Sequence, residues 1–196
     1  MNQADHTKQR LLDASRKLFA DKGFSGASVR AITQLAGANL GAVTYHFGSK
    51  QALYAAGLDQ LFTSLADRVT VAATLEQVVR SFFAFFEQYP EAPRLLIRHL
   101  ASTAAPPEPA VRQFRRIPEA IIAIVRQGQS RGELRPVEPL LAAFTLISQT
   151  VWFAVIRRAM AAVTGLPMDR PEMAAVMERH IIDVLGRAFE PAKQST

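Results

Sequence analysis

The chain has 196 residues, of which 49% are hydrophobic and 20% charged, so it can bury a substantial core and is not expected to be disordered. It contains no cysteine, which excludes disulfides, thiolate metal sites and cysteine nucleophiles and suits a reducing cytoplasm. The formal net charge is +6, and residues 1–50 contribute +4 of it, with seven Lys and Arg against three Asp. This concentration of positive charge predicts a polyanionic partner, although charge alone also allows a membrane surface.

Targeting and membrane segments are not expected. The N-terminal residues MNQADHTKQR lack the apolar stretch of a secretion signal. Residues 139–156 carry no charge over 18 positions, close to the roughly 20 apolar residues that a membrane span needs. Because Ser148, Gln149 and Thr150 lie in the middle of this stretch, a helix buried by protein is the favoured interpretation and a membrane span the alternative.

Apolar residues recur at helical spacing along nearly the whole chain, without a strand pattern or an internal repeat. The fold class is therefore predicted to be all-α, with about nine helices. The predicted helices cover approximately residues 11–22, 28–36, 39–47, 49–68, 74–89, 92–102, 111–131, 138–163 and 171–189.

Several residues indicate where these helices begin and end. Gly23 is expected to stop the first helix, and Gly37 to supply a turn at positive φ before the third. Pro118 lies inside the seventh helix and predicts a kink or a helix boundary there. The predicted N-terminal caps are Ser28, Asn39, Ser49, the Thr74–Gln77 capping box and an Asp169–Glu172 capping pair.

Residues 28–50, SVRAITQLAGANLGAVTYHFGSK, have the form of two short helices joined by a glycine turn. In a helix-turn-helix the second helix enters the major groove of DNA, and Gly41 and Ala42 at its start would allow a close approach. Free N–H groups at the capped helix starts are donors for phosphate oxygens. The segment therefore predicts a DNA-binding transcriptional regulator.

The N-terminal part of the chain resembles the tetracycline-repressor (TetR) family. The resemblance runs from the apolar stripe of residues 11–19, through KGFSGASVRAITQLAG, to YHFGSKQALY, and its most specific part is the pattern YHF-x-SK-x-x-LY. The later segments resemble the family in helix number and order and in the Gly132–Leu134 spacing. The resemblance implies a homodimer with an N-terminal three-helix DNA-binding domain, residues 1–48, and a C-terminal helical domain for effector binding and dimerisation, residues 49–196.

Carried over by position, the resemblance implies a set of DNA-binding residues. Leu40 and Thr44 depart from the family pattern, since a polar or basic residue and an aromatic residue are frequent there; Leu40 would instead contact a thymine methyl. Tyr45 has an alternative interpretation as a core residue, His46 as a helix cap and Lys50 as a solvated lysine. Ser28 and Asn39 have the alternative that they only cap helices and do not contact DNA. The DNA-binding residues implied are Ser28, Arg30, Asn39, Leu40, Gly41, Thr44, Tyr45, His46 and Lys50.

The C-terminal helices are rich in aromatic residues, and the family commonly leaves an apolar cavity among its central helices. We expect an apolar or amphipathic small-molecule effector, with a carboxylate as one option, although such aromatic stripes are also typical of simple cores. The candidate effector-binding residues are Phe86, Arg98, His99, Phe114, Gln149, Trp152 and Phe153.

The expected partners are a palindromic or near-palindromic DNA operator, a second copy of the chain bound through residues 138–163 and 171–189, and the effector, with no membrane. No cofactor, metal site or catalytic residue is expected, because the chain shows no nucleophile elbow, phosphate loop or metal-ligand spacing. The rival classes are an enzyme and a helical interaction module that no longer binds DNA.

Overall fold

The structure, a computed structural model, describes residues 3–101 and 107–191. Within these ranges the chain forms nine α-helices and no strand, which confirms the predicted all-α fold. The helices are α1 (Gln3–Gly26), α2 (Val29–Leu35), α3 (Ala42–Phe47), α4 (Lys50–Thr70), α5 (Leu75–Gln88), α6 (Ala92–Leu100), α7 (Glu108–Ser130), α8 (Pro139–Thr164) and α9 (Pro171–Phe189).

The first of two compact units comprises Met1–Thr63 and Tyr89–Gln113, as far as these ranges are described. In it, α1 packs against α2, α3 and α6, and α2 packs against α3. Burial of each large apolar side chain contributes about 1.5–3 kcal/mol, so the core of this unit holds α3 against α1 and α2. Side chains in this core are Leu11, Phe19, Ile32, Val43, Leu53 and Leu58.

The second compact unit comprises Ser64–Gln88 and Phe114–Thr196, again within the described residues. Here α5 packs against α8 and α9, which also pack against each other. The core side chains include Phe82, Phe85, Ile121, Val125, Leu146 and Leu185. The two compact units are defined by packing and not by function. The predicted boundary between the DNA-binding and effector-binding domains, at residues 48 and 49, therefore stays a prediction.

Three predicted helix caps are confirmed. In each, a side-chain oxygen accepts the N–H of the residue three positions later, and so satisfies a donor that the first helical turn leaves free. These bonds join Ser28 Oγ to Ala31 N at 3.1 Å, Ser49 Oγ to Ala52 N at 3.0 Å, and Thr74 Oγ1 to Gln77 N at 3.2 Å.

Two predicted caps are wrong. Helix α3 begins at Ala42 with Gly41 as its N-cap, and Asn39 accepts the Ala42 N–H through its backbone carbonyl instead of its side chain. Helix α9 begins at Pro171, and its N-cap residue makes no side-chain cap bond. Since a proline at the first position has no N–H, one donor fewer needs a cap; Asp169 and Glu172 are therefore not needed as a capping pair.

Gly23 and Pro118 behave differently as helix breakers. Gly23 has φ 73° and ψ 173°, which interrupts α1 as predicted. Helix α7 continues through Pro118, so the alternative of a helix boundary there is wrong. The buried residues Ile117, Ile121 and Val125 lie beside the proline and along the following turns, and their burial compensates for the N–H bond that proline lacks.

Helix α8 is long and apolar enough to cross a membrane by length and composition, but it has two distinct faces in the structure. One face is buried within the second unit through Ala143, Leu146 and Phe153. The opposite face exposes Phe144 and Trp152, which are 59% and 60% accessible. Within the described residues only 28% of its most apolar 18-residue stretch is buried, so large apolar side chains such as Leu141, Phe144 and Trp152 lie exposed.

Candidate nucleic-acid interface

Helices α2 and α3 are joined by a tight turn at Gly37. Its φ is 59°, a conformation that glycine adopts without the penalty that other residues incur. The Gly37 N–H donates to the carbonyl of Gln34 at 3.2 Å, and the Ala38 N–H donates to the carbonyl of Thr33 at 2.9 Å. These bonds close the end of α2 and turn the chain, so the predicted helix-turn-helix form is present.

Helix α3 has an inner face and an outer face. Ala42 and Val43 are buried, with 6% and 1% of their surface accessible, because they pack into the core of the first unit. On the outer face, Leu40 is 63% and Tyr45 81% accessible. The predicted groove-facing residues Asn39, Leu40, Gly41 and Thr44 are all exposed, and so is Tyr45, which is predicted to contact the DNA backbone.

The aromatic pair at the end of α3 is arranged edge to face. The rings of Tyr45 and His46 are 4.9 Å apart at an interplanar angle of 85°. Tyr45 is exposed, so the alternative that it is a core residue is wrong, whereas His46 and Phe47 are half-buried. The edge-to-face contact holds the Tyr45 ring beside His46, with its hydroxyl available as a hydrogen-bond donor.

Three further predicted residues lie at helix starts. Ser28 and Arg30 are exposed at the start of α2, and the Ser28 hydroxyl oxygen is engaged as the cap. Lys50 is half-buried at the start of α4, where its ammonium lies 4.4 Å from the centre of the Phe24 ring. This cation–π contact positions the Lys50 charge instead of leaving it a freely solvated lysine.

The structure adds two basic residues that the sequence prediction did not include. Arg10 on α1 has Nη1 3.6 Å from the position that a Cβ on Gly37 would occupy, and so lies beside the turn. The ammonium of Lys8 lies 5.9 Å from the Phe47 ring, at the end of α3. Both side chains are exposed. The excess of positive charge in residues 1–50 indicated that basic side chains lie near the helix-turn-helix, but it could not show which ones lie beside α3.

A buried charge network connects α1 and α4 to the start of α6. Arg16 on α1 is only 3% accessible, and its Nε donates to Glu91 Oε1 at 3.2 Å while its Nη2 donates to Asp13 Oδ1 at 2.6 Å. Its third nitrogen donates to Gln60 of α4, and the guanidinium lies 5.2 Å from the Tyr89 ring. One arginine thus ties together α1, α4 and the segment before α6.

Helix α6 makes further contacts with the same helices. Arg94 forms an ion pair with Asp21 of α1 at 2.8 Å, and Arg98 Nη2 donates to the Asp21 carbonyl at 3.2 Å. Tyr54 Oη of α4 and His99 Nδ1 lie at hydrogen-bond distance, 3.0 Å. Burial lowers the pKa of His99 and raises the pKa of Tyr54, which favours the neutral form of both groups.

The seven predicted effector-binding residues do not share one environment. Arg98 and His99 belong to the first compact unit, where Arg98 is exposed and His99 buried. The other five belong to the second unit. Of these, Phe86 and Phe153 are buried, whereas Phe114, Gln149 and Trp152 are exposed. A pocket in the second unit, between the start of α5 and the ends of α7 and α9, is lined by other residues. The seven assignments therefore stay predictions.

The chemistry of the site is that of polyanion binding, since exposed donors, basic side chains and small residues surround α3. Among the described residues, no cluster of three or more His, Cys, Asp or Glu could hold a metal ion.

Comparison with known families adds two matches that cover different parts of the chain. Residues 11–56 match the family described as "Bacterial regulatory proteins, tetR family". Residues 72–185 match "Tetracyclin repressor-like, C-terminal domain", which is more than half of the chain.

Individual relatives agree with these matches. The HTH-type transcriptional regulator RutR of Escherichia coli K12 is 25% identical over 81% of this chain and 78% of its own. The HTH-type transcriptional repressor NicS of Pseudomonas putida is 34% identical over 44% of this chain and 43% of its own. A solved structure of a regulatory protein in the tetR family from Rhodococcus RHA1 has a TM-score of 0.75 at 19% identity, covering 98% of this chain and 100% of that one, and shows the same fold.

Proposed function

Because the chain belongs to the tetracycline repressor family of DNA-binding transcriptional regulators, we propose that it is a ligand-responsive repressor that binds a near-palindromic operator and releases it when an effector binds. The observation that carries the DNA-binding part is the outer face of α3, where Leu40 and Tyr45 are exposed while Ala42 and Val43 anchor the helix from behind. An exposed short helix on a rigid base is what groove insertion requires.

The residues around α3 divide into base-reading and backbone-binding groups. Leu40 and Thr44 face outward without charge, so they would contact bases, Leu40 through a thymine methyl. Arg30, Tyr45, His46 and Lys50 would donate to phosphate oxygens. Asn39 and Gly41 would lie along the groove, and the start of α2 at Ser28 would face the backbone. Lys8 and Arg10 would extend the phosphate contacts from α1.

The proposed dimer forms through residues 138–163 and 171–189. Leu141, Phe144, Ser148 and Trp152 follow one another at spacings of three, four and four, and so share the exposed face of α8. A self-complementary apolar face of this kind suits a twofold contact between copies. The twofold axis of this dimer would relate the two copies of α3, which would then contact half-sites about 34–36 Å apart. For this reason the operator is proposed to be near-palindromic.

For effector release the moving element proposed is α4, and within the first unit α6 packs beside it. Helix α6 contacts α1 through Arg94 and Asp21, and α4 through His99 and Tyr54. An effector that binds better to a different arrangement of α6 and α4 would move α3 out of its DNA-binding position. We place the protein in the cytoplasm, with α8 a core and interface helix instead of a membrane span.

Selection of bound duplexes from a random pool, with the purified full chain, tests DNA reading and symmetry together. We expect a sequence with twofold-related half-sites and an affinity that falls steeply with salt, since each phosphate contact releases counterions. Lys50→Ala should weaken binding to all duplexes and reduce the salt slope by about 1, whereas Leu40→Ala should relax preference at one base position.

Lys17→Ala is the matched control for Lys50→Ala, because Lys17 is an exposed lysine of α1 outside the proposed interface. The interface assignment fails if Lys17→Ala and Lys50→Ala change the affinity equally. The repressor proposal fails if no sequence is enriched. For the effector, a thermal-shift screen of fatty acids, acyl thioesters and aromatic acids should find a compound that also weakens operator binding; finding none would remove the sensing claim and leave the DNA claim intact.

A further inference from the structure

The second compact unit contains a cavity of about 200 Å³ that belongs to neither the DNA interface nor the predicted effector residues. It lies where the start of α5, the end of α7 and the end of α9 come together. Its walls are apolar side chains that pack in the core of the unit or along its edge: Val79, Ile124, Leu134, Ile182, Leu185 and Phe189.

One wall of this cavity includes an exposed glycine of α9. Gly186 lines it from α9, and a Cβ placed on Gly186 would meet no heavy atom within 4 Å. Its φ is not in the positive range, so the backbone does not require glycine here. Apart from proline, glycine is the least favourable residue inside a helix. The chain therefore has, at the wall of a cavity, a residue that weakens α9 and leaves space unfilled.

The polar groups at the rim largely balance in charge. Arg131 and Glu133 are both exposed there, and Glu76 is already paired with Arg80 at 2.8 Å. Gln127 adds a neutral amide to the lining. A charged ligand would meet both signs of charge at the rim, whereas a neutral molecule with one polar atom could bury its ring against the apolar walls and turn that atom to the rim.

We propose that this cavity is a binding site for a small neutral aromatic molecule of one ring or two fused rings. An apolar cavity of about 150 Å³ admits benzene, so this larger one accommodates a somewhat larger ring system. The inference concerns binding alone and does not rest on the proposed repressor function. Its failure would leave DNA binding unaffected, and failure of DNA binding would leave the cavity unaffected.

Indole is the probe, because it is neutral, has fused rings and carries one N–H donor. We expect titration of the full chain, isotope-labelled at isoleucine methyl groups, to shift the Ile124 and Ile182 signals saturably and to leave Ile32 of the first unit unchanged. Gly186→Leu fills the cavity and should weaken indole binding by at least about tenfold, as pocket-filling methylenes do. Ala188→Leu adds the same side chain at an exposed position of α9 outside the lining and should leave binding unchanged.

The absence of saturable shifts at Ile124 and Ile182 would overturn the proposal, and so would equal indole affinity in Gly186→Leu and the unchanged chain. If Gly186→Leu fails to fold, the localisation of shifts in the unchanged chain decides alone. Indole-3-carboxylate tests the chemical class: it should bind at least about tenfold more weakly, because its carboxylate would lose hydration and meet the Glu133 carboxylate as well as Arg131 at the rim. Equal binding of the two compounds would overturn the assignment to neutral ligands.

Discussion

At the residue scale, Arg16 shows how a charged side chain can occupy a core position. It is buried between Asp13, Glu91 and Gln60, and the Glu91 side chain is itself only 7% accessible. Removal of one partner from a buried ion pair leaves the other charge buried without a counter-charge, which lowers the free energy of unfolding by about 3–5 kcal/mol. We therefore expect Arg16→Met to reduce the free energy of unfolding by this amount, measured by urea denaturation.

The matched control for Arg16→Met is an exposed pair, Arg187 with Asp183 on α9 at 3.0 Å. Arg187→Met should change stability by less than about 1 kcal/mol, since exposed pairs contribute little. The double variant Arg16→Met with Glu91→Leu removes both charges and should recover much of the loss. A small effect of Arg16→Met, similar to that of the control, would show that the Arg16 network does not hold the unit together.

His99 makes the first unit sensitive to pH. Burial lowers the pKa of His99 below the value in the unfolded chain. As the pH falls through about 6.5, the unfolded chain therefore takes up a proton that the folded chain does not, and the stability contributed by neutral His99 is lost. We expect the free energy of unfolding to fall between about pH 7.5 and about pH 5.5. His99→Gln should flatten this dependence, whereas His6→Gln, at an exposed position of α1, should not. A dependence that His99→Gln leaves unchanged would assign the effect to other groups.

At the element scale, the start of α5 depends on two reciprocal capping hydrogen bonds. Thr74 Oγ1 accepts the Gln77 N–H at 3.2 Å, and Gln77 Oε1 accepts the Ala73 N–H at 2.7 Å. Loss of an N-cap hydroxyl costs about 1 kcal/mol, so Thr74→Ala should lower the urea midpoint accordingly. Thr70→Ala is the control, because the exposed Thr70 hydroxyl only donates to the Asp67 carbonyl at 3.3 Å. Equal destabilisation by both variants would contradict the capping role.

Helix extents were predictable where one apolar face repeats for many turns. Helix α9 has the predicted bounds, 171–189, and α8 differs by one residue at each end. Short α3 was placed too early because Asn39 is a good cap by type, while the closure of the turn after Gly37 decides where the helix starts. In a helix of six residues, local turn geometry outweighs residue preference.

Long-range pairings were not predictable from the chain. Arg16 lies among the buried residues of α1, which are apolar except for Ser15, and its partner Glu91 is 75 positions away. The cavity in the second unit is equally non-local, since its walls come from the ends of three helices instead of from one aromatic stripe. The DNA-facing residues were easier to locate, because the helix-turn-helix is continuous in sequence and its pattern includes its own turn.

At the scale of the whole molecule, the exposed apolar surface indicates that the chain binds a second copy of itself. Leu141, Phe144 and Trp152 on α8 are 64%, 59% and 60% accessible, and they form one stripe along the helix. On α9, Val176 and Val184 are 46% and 45% accessible and also share one face, eight positions apart. A soluble monomer rarely exposes a continuous apolar patch of this extent, so a second copy is the expected cover.

Phe144→Asp tests this cover directly. A twofold interface contains each substituted residue twice, and a buried aromatic at its centre contributes at least about 2 kcal/mol. We therefore expect the dimer Kd, measured by sedimentation equilibrium, to rise by at least roughly 700-fold for Phe144→Asp, since two losses of about 2 kcal/mol add to about 4 kcal/mol. Operator affinity should fall with it, because a monomer contacts one half-site. Val71→Asp, at a residue that is 82% accessible and outside α8 and α9, should change neither quantity. If Phe144→Asp stays dimeric at the same concentrations, the exposed face of α8 is not the dimer contact. If the variant becomes monomeric yet binds the full operator as tightly, the two copies of α3 do not bind the operator as a pair.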